Sequence, residues 1–120
     1  MRSVAYDHFY AYEELTDTLR TLAEEAPSLC TLESIGKSYE ERDIWLLTVT
    51  NIETGDHLDK PGFLIEANIH SMEWTGCTAA LHLVRPLLRL RRADRHAAHV
   101  VGGGVEPLHT RVDRQVVRRA

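Results

Sequence analysis

Long hydrophobic runs are missing from this chain of 120 residues; none approaches the ~18 positions that a membrane-spanning helix needs. The start, Met1-Arg2-Ser3-Val4-Ala5-Tyr6-Asp7-His8, also lacks an apolar stretch of signal-peptide length. A soluble, cytoplasmic chain with no membrane partner is therefore expected, although a start trimmed of its export signal would leave secretion open. Cysteine is scarce as well. Cys30 and Cys77 are too few and too far apart to suggest a disulfide framework or a Cys-x-x-Cys zinc site. Cys77 reads as a small buried residue with a free thiol, compatible with a reducing compartment. Residues 85–120 contain no aromatic and no lysine.

What is present is unevenly distributed. The net charge of −4 conceals an asymmetry: residues 1–84 carry 5 Lys+Arg against 15 Asp+Glu, net −10. Residues 85–120 carry 9 Arg and 3 acids, net +6. Length alone suggests one domain, large enough to bury a core.

Along the chain, Leu15, Leu19, Leu22 and Ala26 recur on one helical face, so the spacing predicts an amphipathic helix over Tyr10 to Ala26, stopped by Pro27. Two strands are expected next, about Cys30–Ser38 and Ile44–Asn51. The first alternates loosely, as an edge strand does. The second, Ile44-Trp45-Leu46-Leu47-Thr48-Val49, is continuously apolar, as a strand covered on both faces would be. The polar link Tyr39–Asp43 is short enough for an antiparallel hairpin. Thr54-Gly55-Asp56 and Lys60-Pro61-Gly62 punctuate a loop in which His57 reads as solvated surface. A third strand begins at Phe63-Leu64-Ile65. Beyond it, helical periodicity runs through Leu81, Val84 and Leu88, with Pro86 expected to interrupt it at a cost of ~3 kcal/mol.

Between the third strand and that helix lies Asn68-Ile69-His70-Ser71-Met72-Glu73-Trp74. Neutral imidazole and carboxylate are both zinc ligands, and a His-x-x-Glu turn can present two of them to one ion. Spacing alone is weak evidence, because 7 His among 120 residues give about 0.6 such pairs with the glutamates by chance. Without further context, His70 would be a satisfied strand-end histidine and Glu73 a first-turn carboxylate favoured by the helix dipole. Location shifts the balance: the pair stands where an apolar strand ends, before the small residues Thr75, Gly76, Thr78, Ala79 and Ala80. Open α/β sheets put ligands at the carboxyl ends of their strands.

From Tyr6 to about Val84 the chain resembles the amino-terminal part of the zinc carboxypeptidases of the carboxypeptidase A type. Tyr12-Glu13-Glu14-Leu15 with Leu19 and Leu22 resembles the family's first helix, and Ile35-Gly36-Lys37-Ser38 its next strand. Glu41-Arg42-Asp43-Ile44-Trp45 resembles the following turn and strand, and Asn68–Trp74 the first zinc-binding motif. The resemblance implies an α/β fold, here a truncated part of a three-layer α-β-α sandwich with a mixed sheet. It also implies Zn2+ held by His70 and Glu73, and a peptide as substrate. Many relatives have glycine where Glu41 stands, so a positive φ there would strain this chain. Many animal relatives carry a substrate-contacting arginine where Met72 stands. The third zinc ligand, the general base, a carboxylate-binding arginine and a capping tyrosine are implied downstream of Val84, where no matching motif occurs. The catalytic residues are therefore unknown.

Residues 85–120 admit three readings. A nucleic-acid arm is disfavoured because no aromatic is available for stacking. A second metal site would use His96 and His99, with His109 ten residues on. The favoured reading is an out-of-frame translation of GC-rich coding DNA that does not pack as a defined domain. Completion of the first site by His109 is disfavoured by its short separation from Glu73.

The expected function is a fragment of a zinc metallocarboxypeptidase that hydrolyses C-terminal peptide bonds, with little activity in this chain alone. Alternatives are a zinc-dependent deacylase of small acylated amino acids and a non-catalytic remnant or binding module. Trp74 after Glu73, where a second histidine would be required, disfavours the H-x-x-E-H proteases. A sheet cut short would leave an unpaired edge prone to association.

Overall fold

The computed structural model describes residues 4–70, 72–89 and 97–102. Helix α1 spans Tyr12–Glu25, strand β1 Cys30–Lys37, strand β2 Asp43–Val49, strand β3 Gly62–Ala67, helix α2 Trp74–Arg89 and strand β4 Ala97–Gly102. The strands form one mixed sheet in the order β1-β2-β4-β3. β2 runs antiparallel to β1 and to β4, whereas β3 runs parallel to β4. The mixed sheet, the edge position of β1 and the antiparallel hairpin agree with the sequence reading.

Each element follows from its composition. Glu13 and Glu14 in the first turn of α1 suit the positive end of the helix dipole, and Leu15, Thr16, Leu19 and Leu22 form its buried stripe. Trp45 Nε1–H donates to Thr16 Oγ1 at 3.0 Å, and the Tyr12 hydroxyl donates to the Asp43 carbonyl at 3.0 Å. These bonds hold α1 against β2. In the sheet, Trp45, Leu47 and Val49 share a face with their cross-strand partners Val100 and Ala98. Both helices bury their apolar sides there, through Leu19 and Leu22 from α1 and Cys77, Leu81, Val84 and Leu88 from α2. Among the described residues no helix covers the opposite face, so they form two of the three layers expected of the whole sandwich. None of these helices is long and apolar enough to cross a membrane.

Two expectations need correction. Pro86 does not stop α2, which continues to Arg89. Proline removes a hydrogen bond to the carbonyl four residues back, at His82. Both residues lie on the exposed side of the helix, where water can replace the lost bond, while the buried Val84 and Leu88 hold the opposite side. Nor does regular structure end after Val84. Ala97–Gly102, inside the segment expected not to pack, forms β4 and pairs along both of its edges. Alanine is a poor strand former, but Ala97 and Ala98 are small enough to be buried at 0% and 3% exposure. Packing between two strands overrides the local preference. His96 and His109, the other histidines considered as metal ligands, lie outside the described residues.

The β1–β2 hairpin answers the question posed by Glu41. Glu41 N donates to Ser38 O at 3.0 Å, and Ser38 N donates to Arg42 O at 2.8 Å. This closes a turn whose last position is left-handed, and Glu41 has φ +62°. An L side chain there costs about 1 kcal/mol. Glu41→Gly is therefore expected to stabilise the fold by up to about 1 kcal/mol, read as a higher urea midpoint at unchanged m-value. An unchanged midpoint would show that the turn is not strained.

Candidate metal centre

At the carboxyl end of β3 the chain leaves the sheet through Asn68, whose φ is +59°. Asparagine tolerates this conformation better than most residues, and here its side chain has a second use. Asn68 Oδ1 accepts the Cys77 N–H at 3.1 Å, satisfying a donor in the first turn of α2. One residue thus redirects the strand and fastens the incoming helix. Sequence reading quoted Asn68 in the motif but gave it no role. The available signal was an asparagine directly after an apolar strand and nine residues ahead of an uncapped helical N–H.

The turn so delimited brings the two sequence-predicted ligands together. Glu73 N donates to His70 O at 3.1 Å, closing the backbone turn, and Gly76 N donates to Glu73 O at 3.0 Å. In the other direction, His70 N donates to Glu73 Oε2 at 3.3 Å. His70 Nδ1 lies 2.8 Å from Glu73 Oε1. Both side chains are open to solvent, at 66% and 48% exposure. Their donor atoms therefore meet at one accessible point.

Electrostatics suit that geometry. The hydrogen bond from the His70 ring, and next the His70 backbone N–H, hold the Glu73 carboxyl below the ordinary glutamate range. A depressed folded-state value contributes stability above the ordinary pKa, which is lost as pH falls through the depressed one. The Glu73 side chain is thus ionised, the form that binds a cation.

Zinc fits this pair as far as the pair goes. One imidazole nitrogen and one carboxylate converge, which is a matching donor set, and solvent access leaves room for water in the remaining positions. Among the described residues, no group of three or more His, Cys, Asp or Glu could hold a metal ion. His99 of the proposed His96–His99 pair sits in β4 and bonds Thr48, away from His70. Met72 lies within the turn and Trp74 follows it; both are exposed, and the Phe9 and Trp74 rings stand edge to face at 6.3 Å.

The turn thus sits at the strand end of a parallel β-α-β unit, β3-α2-β4. Comparison with known proteins makes this more specific. The sequence profile of the family described as Zinc carboxypeptidase matches residues 15–101, so this chain belongs to the zinc carboxypeptidase family. That match passes Val84, where the resemblance in the sequence was lost, and extends into β4. The chain is 40% identical over 81 residues to Zinc carboxypeptidase A 1 of Drosophila melanogaster, covering 64% of this chain and 19% of that protein. It is 32% identical over 98 residues to Carboxypeptidase M of Mus musculus, covering 81% and 22%. Among solved structures, the carboxypeptidase A from Helicoverpa armigera superposes with a TM-score of 0.72 at 25% identity, over 82% of this chain and 25% of that one. The chain thus spans about a fifth of the length of the curated relatives it matches.

Two outcomes are expected at the turn. Asn68→Ala should destabilise the fold by about 1–2 kcal/mol, because it loses the Oδ1 acceptor and alanine tolerates positive φ less well than asparagine. Asn68→Gly should lose less, since only the cap goes. Equal losses in denaturant titrations would exclude the backbone contribution. The Glu73 carboxyl carbon should titrate by NMR below the ordinary glutamate range, and His70→Ala should move its midpoint up. A midpoint indifferent to that substitution would remove the electrostatic argument.

Proposed function

We propose that this chain is a segment of a zinc metallocarboxypeptidase that acts on the C-terminal bonds of peptides, and that His70 and Glu73 are its contribution to the zinc shell. The observation that carries the reading is the 2.8 Å approach of His70 Nδ1 to Glu73 Oε1 at the carboxyl end of β3, within the family match. Bound zinc supplies Lewis-acid polarisation of a carbonyl and a water of lowered pKa. The chain's own part is to hold donors ready. His70 offers Nδ1 and Glu73 its ionised carboxyl, while the reciprocal bonds between the two residues limit the reorganisation needed to admit an ion.

A catalytic zinc site of this kind uses three protein ligands and a general base, and no group of three such donors occurs among the described residues. We therefore expect zinc uptake with little or no hydrolysis by this chain alone. Zinc added to the purified chain should shift the His70 ring signals in NMR, with the apparent affinity at His70 falling at least about tenfold in Glu73→Ala. A His70 ring that ignores zinc would overturn the assignment. Hydrolysis of a peptide with a free C-terminus, abolished by a chelator, would overturn the expected inactivity. Chelator-sensitive cleavage of acylated amino acids in place of peptides would favour the deacylase reading.

A further inference from the structure

The uncovered face of the sheet carries a pairing that the metal turn does not use. His57 opens the short 3-10 turn His57–Asp59 in the segment between β2 and β3, whereas His99 lies in β4. Expected as solvated surface, His57 is instead half-buried, and its Nδ1 is buried without a hydrogen-bond partner among the described residues. The two imidazole centroids stand 5.3 Å apart with their planes inclined at 62°. A cavity of about 80 Å³ beside them is lined by His57, Leu58, Lys60, Phe63, Leu64 and His99, among others.

The His99 ring is oriented by its neighbours. Its Nδ1 lies 3.1 Å from Thr48 Oγ1 on β2, and its Cδ2 edge faces Gly62 on β3. With Nδ1 engaged by Thr48, Nε2 is the ring nitrogen left for a ligand, and the His57 ring packs against this imidazole. Donation from Nδ1–H to the threonine hydroxyl leaves the Nε2 lone pair available, the arrangement that commonly orients a metal-binding histidine. The loop holding His57 is equally constrained. Lys60 Nζ donates to Thr50 Oγ1 at 2.9 Å, Asn51 O at 2.6 Å and Thr54 Oγ1 at 3.0 Å. Asp56 Oδ1 accepts the Leu58 N–H at 2.9 Å at the start of the turn.

We infer that His57 and His99 form a second site, a two-imidazole clamp for a divalent transition ion of the zinc, nickel or copper class. Such an ion sits about 2.0–2.1 Å from each nitrogen, so two imidazoles at a tetrahedral centre have ring centroids about 5 Å apart. The observed 5.3 Å matches that spacing, and because the rings meet edge to face, binding turns one nitrogen of each toward the ion. Imidazole donors select zinc, copper and nickel over the oxygen-seeking magnesium and calcium. Burial, and then the neighbouring His57, push the His99 pKa down, favouring the neutral ring that binds metal. Charges around the clamp are mixed. Glu33 on β1 favours a cation electrostatically, as does Asp56, whose Oδ1 is 3.8 Å from His57 Nε2. Lys60 opposes one and limits the affinity. Filling the clamp would fasten the segment between β2 and β3 to the central strand.

The test uses the full chain carrying His70→Ala and Glu73→Ala, which removes the first site. Zinc or nickel is titrated while the imidazole nitrogens are followed by NMR. His57 and His99 should respond together and saturate at one equivalent, and thermal stability should rise with metal concentration. His57→Asn should abolish the response of His99, and Thr48→Val, which preserves shape, should weaken binding at least about tenfold. Silence of both rings up to millimolar zinc would overturn the inference. So would a His99 response that persists in His57→Asn.

Discussion

Everything in this fold is joined through β4. The hairpin β1–β2 carries α1, while β3 carries the His70–Glu73 turn and α2. β2 and β3 do not pair with each other; each pairs with β4. Remove those six residues and the ladder between the two halves is gone, leaving the packing of α2 over the shared core as the principal link. The pairing is non-local, since β4 joins β2 from about fifty residues away. Its cost in chain entropy is offset by burying Ala98 and Val100 against Leu47 and Val49.

The His70–Glu73 turn depends on that frame only through the end of β3. Its own geometry is local. Asn68 reverses the backbone, the Glu73 N–H closes the turn onto the His70 carbonyl, and side chains complete the circuit. Locality makes the geometry of the pair depend on few residues beyond the turn itself.

The opposite face of the sheet has a different character. Thr48, Leu64 and His99 lie there beneath the loop that follows β2, and that loop is held by the three bonds of Lys60. A polar patch of this kind, sheltered by a pinned loop, gives two imidazoles fixed positions without a helical layer above them. The fold consequently holds two separate side-chain pairs: an exposed one at the end of β3, and a partly buried one beside a cavity on the sheet.

How much of this was legible follows from the range of each interaction. The leucine stripe of α1, the continuous apolar run of β2, the turn at Glu41 and the His70–Glu73 spacing all depend on neighbours a few residues apart, and the sequence by itself determined them. Tertiary structure alone decided the rest. Ala97-Ala98-His99-Val100 has no strong strand signal and sits in an arginine-rich context, so only two flanking edges could make it the central strand. Pro86 reads as a helix breaker, yet its exposed side and the buried residues opposite let α2 continue. His57 and His99 are forty-two positions apart, and no pattern in the chain relates them until the sheet sets β4 beneath the loop. Short-range hydrogen bonding and periodicity are written along a sequence, whereas burial and strand adjacency are properties of the assembled whole.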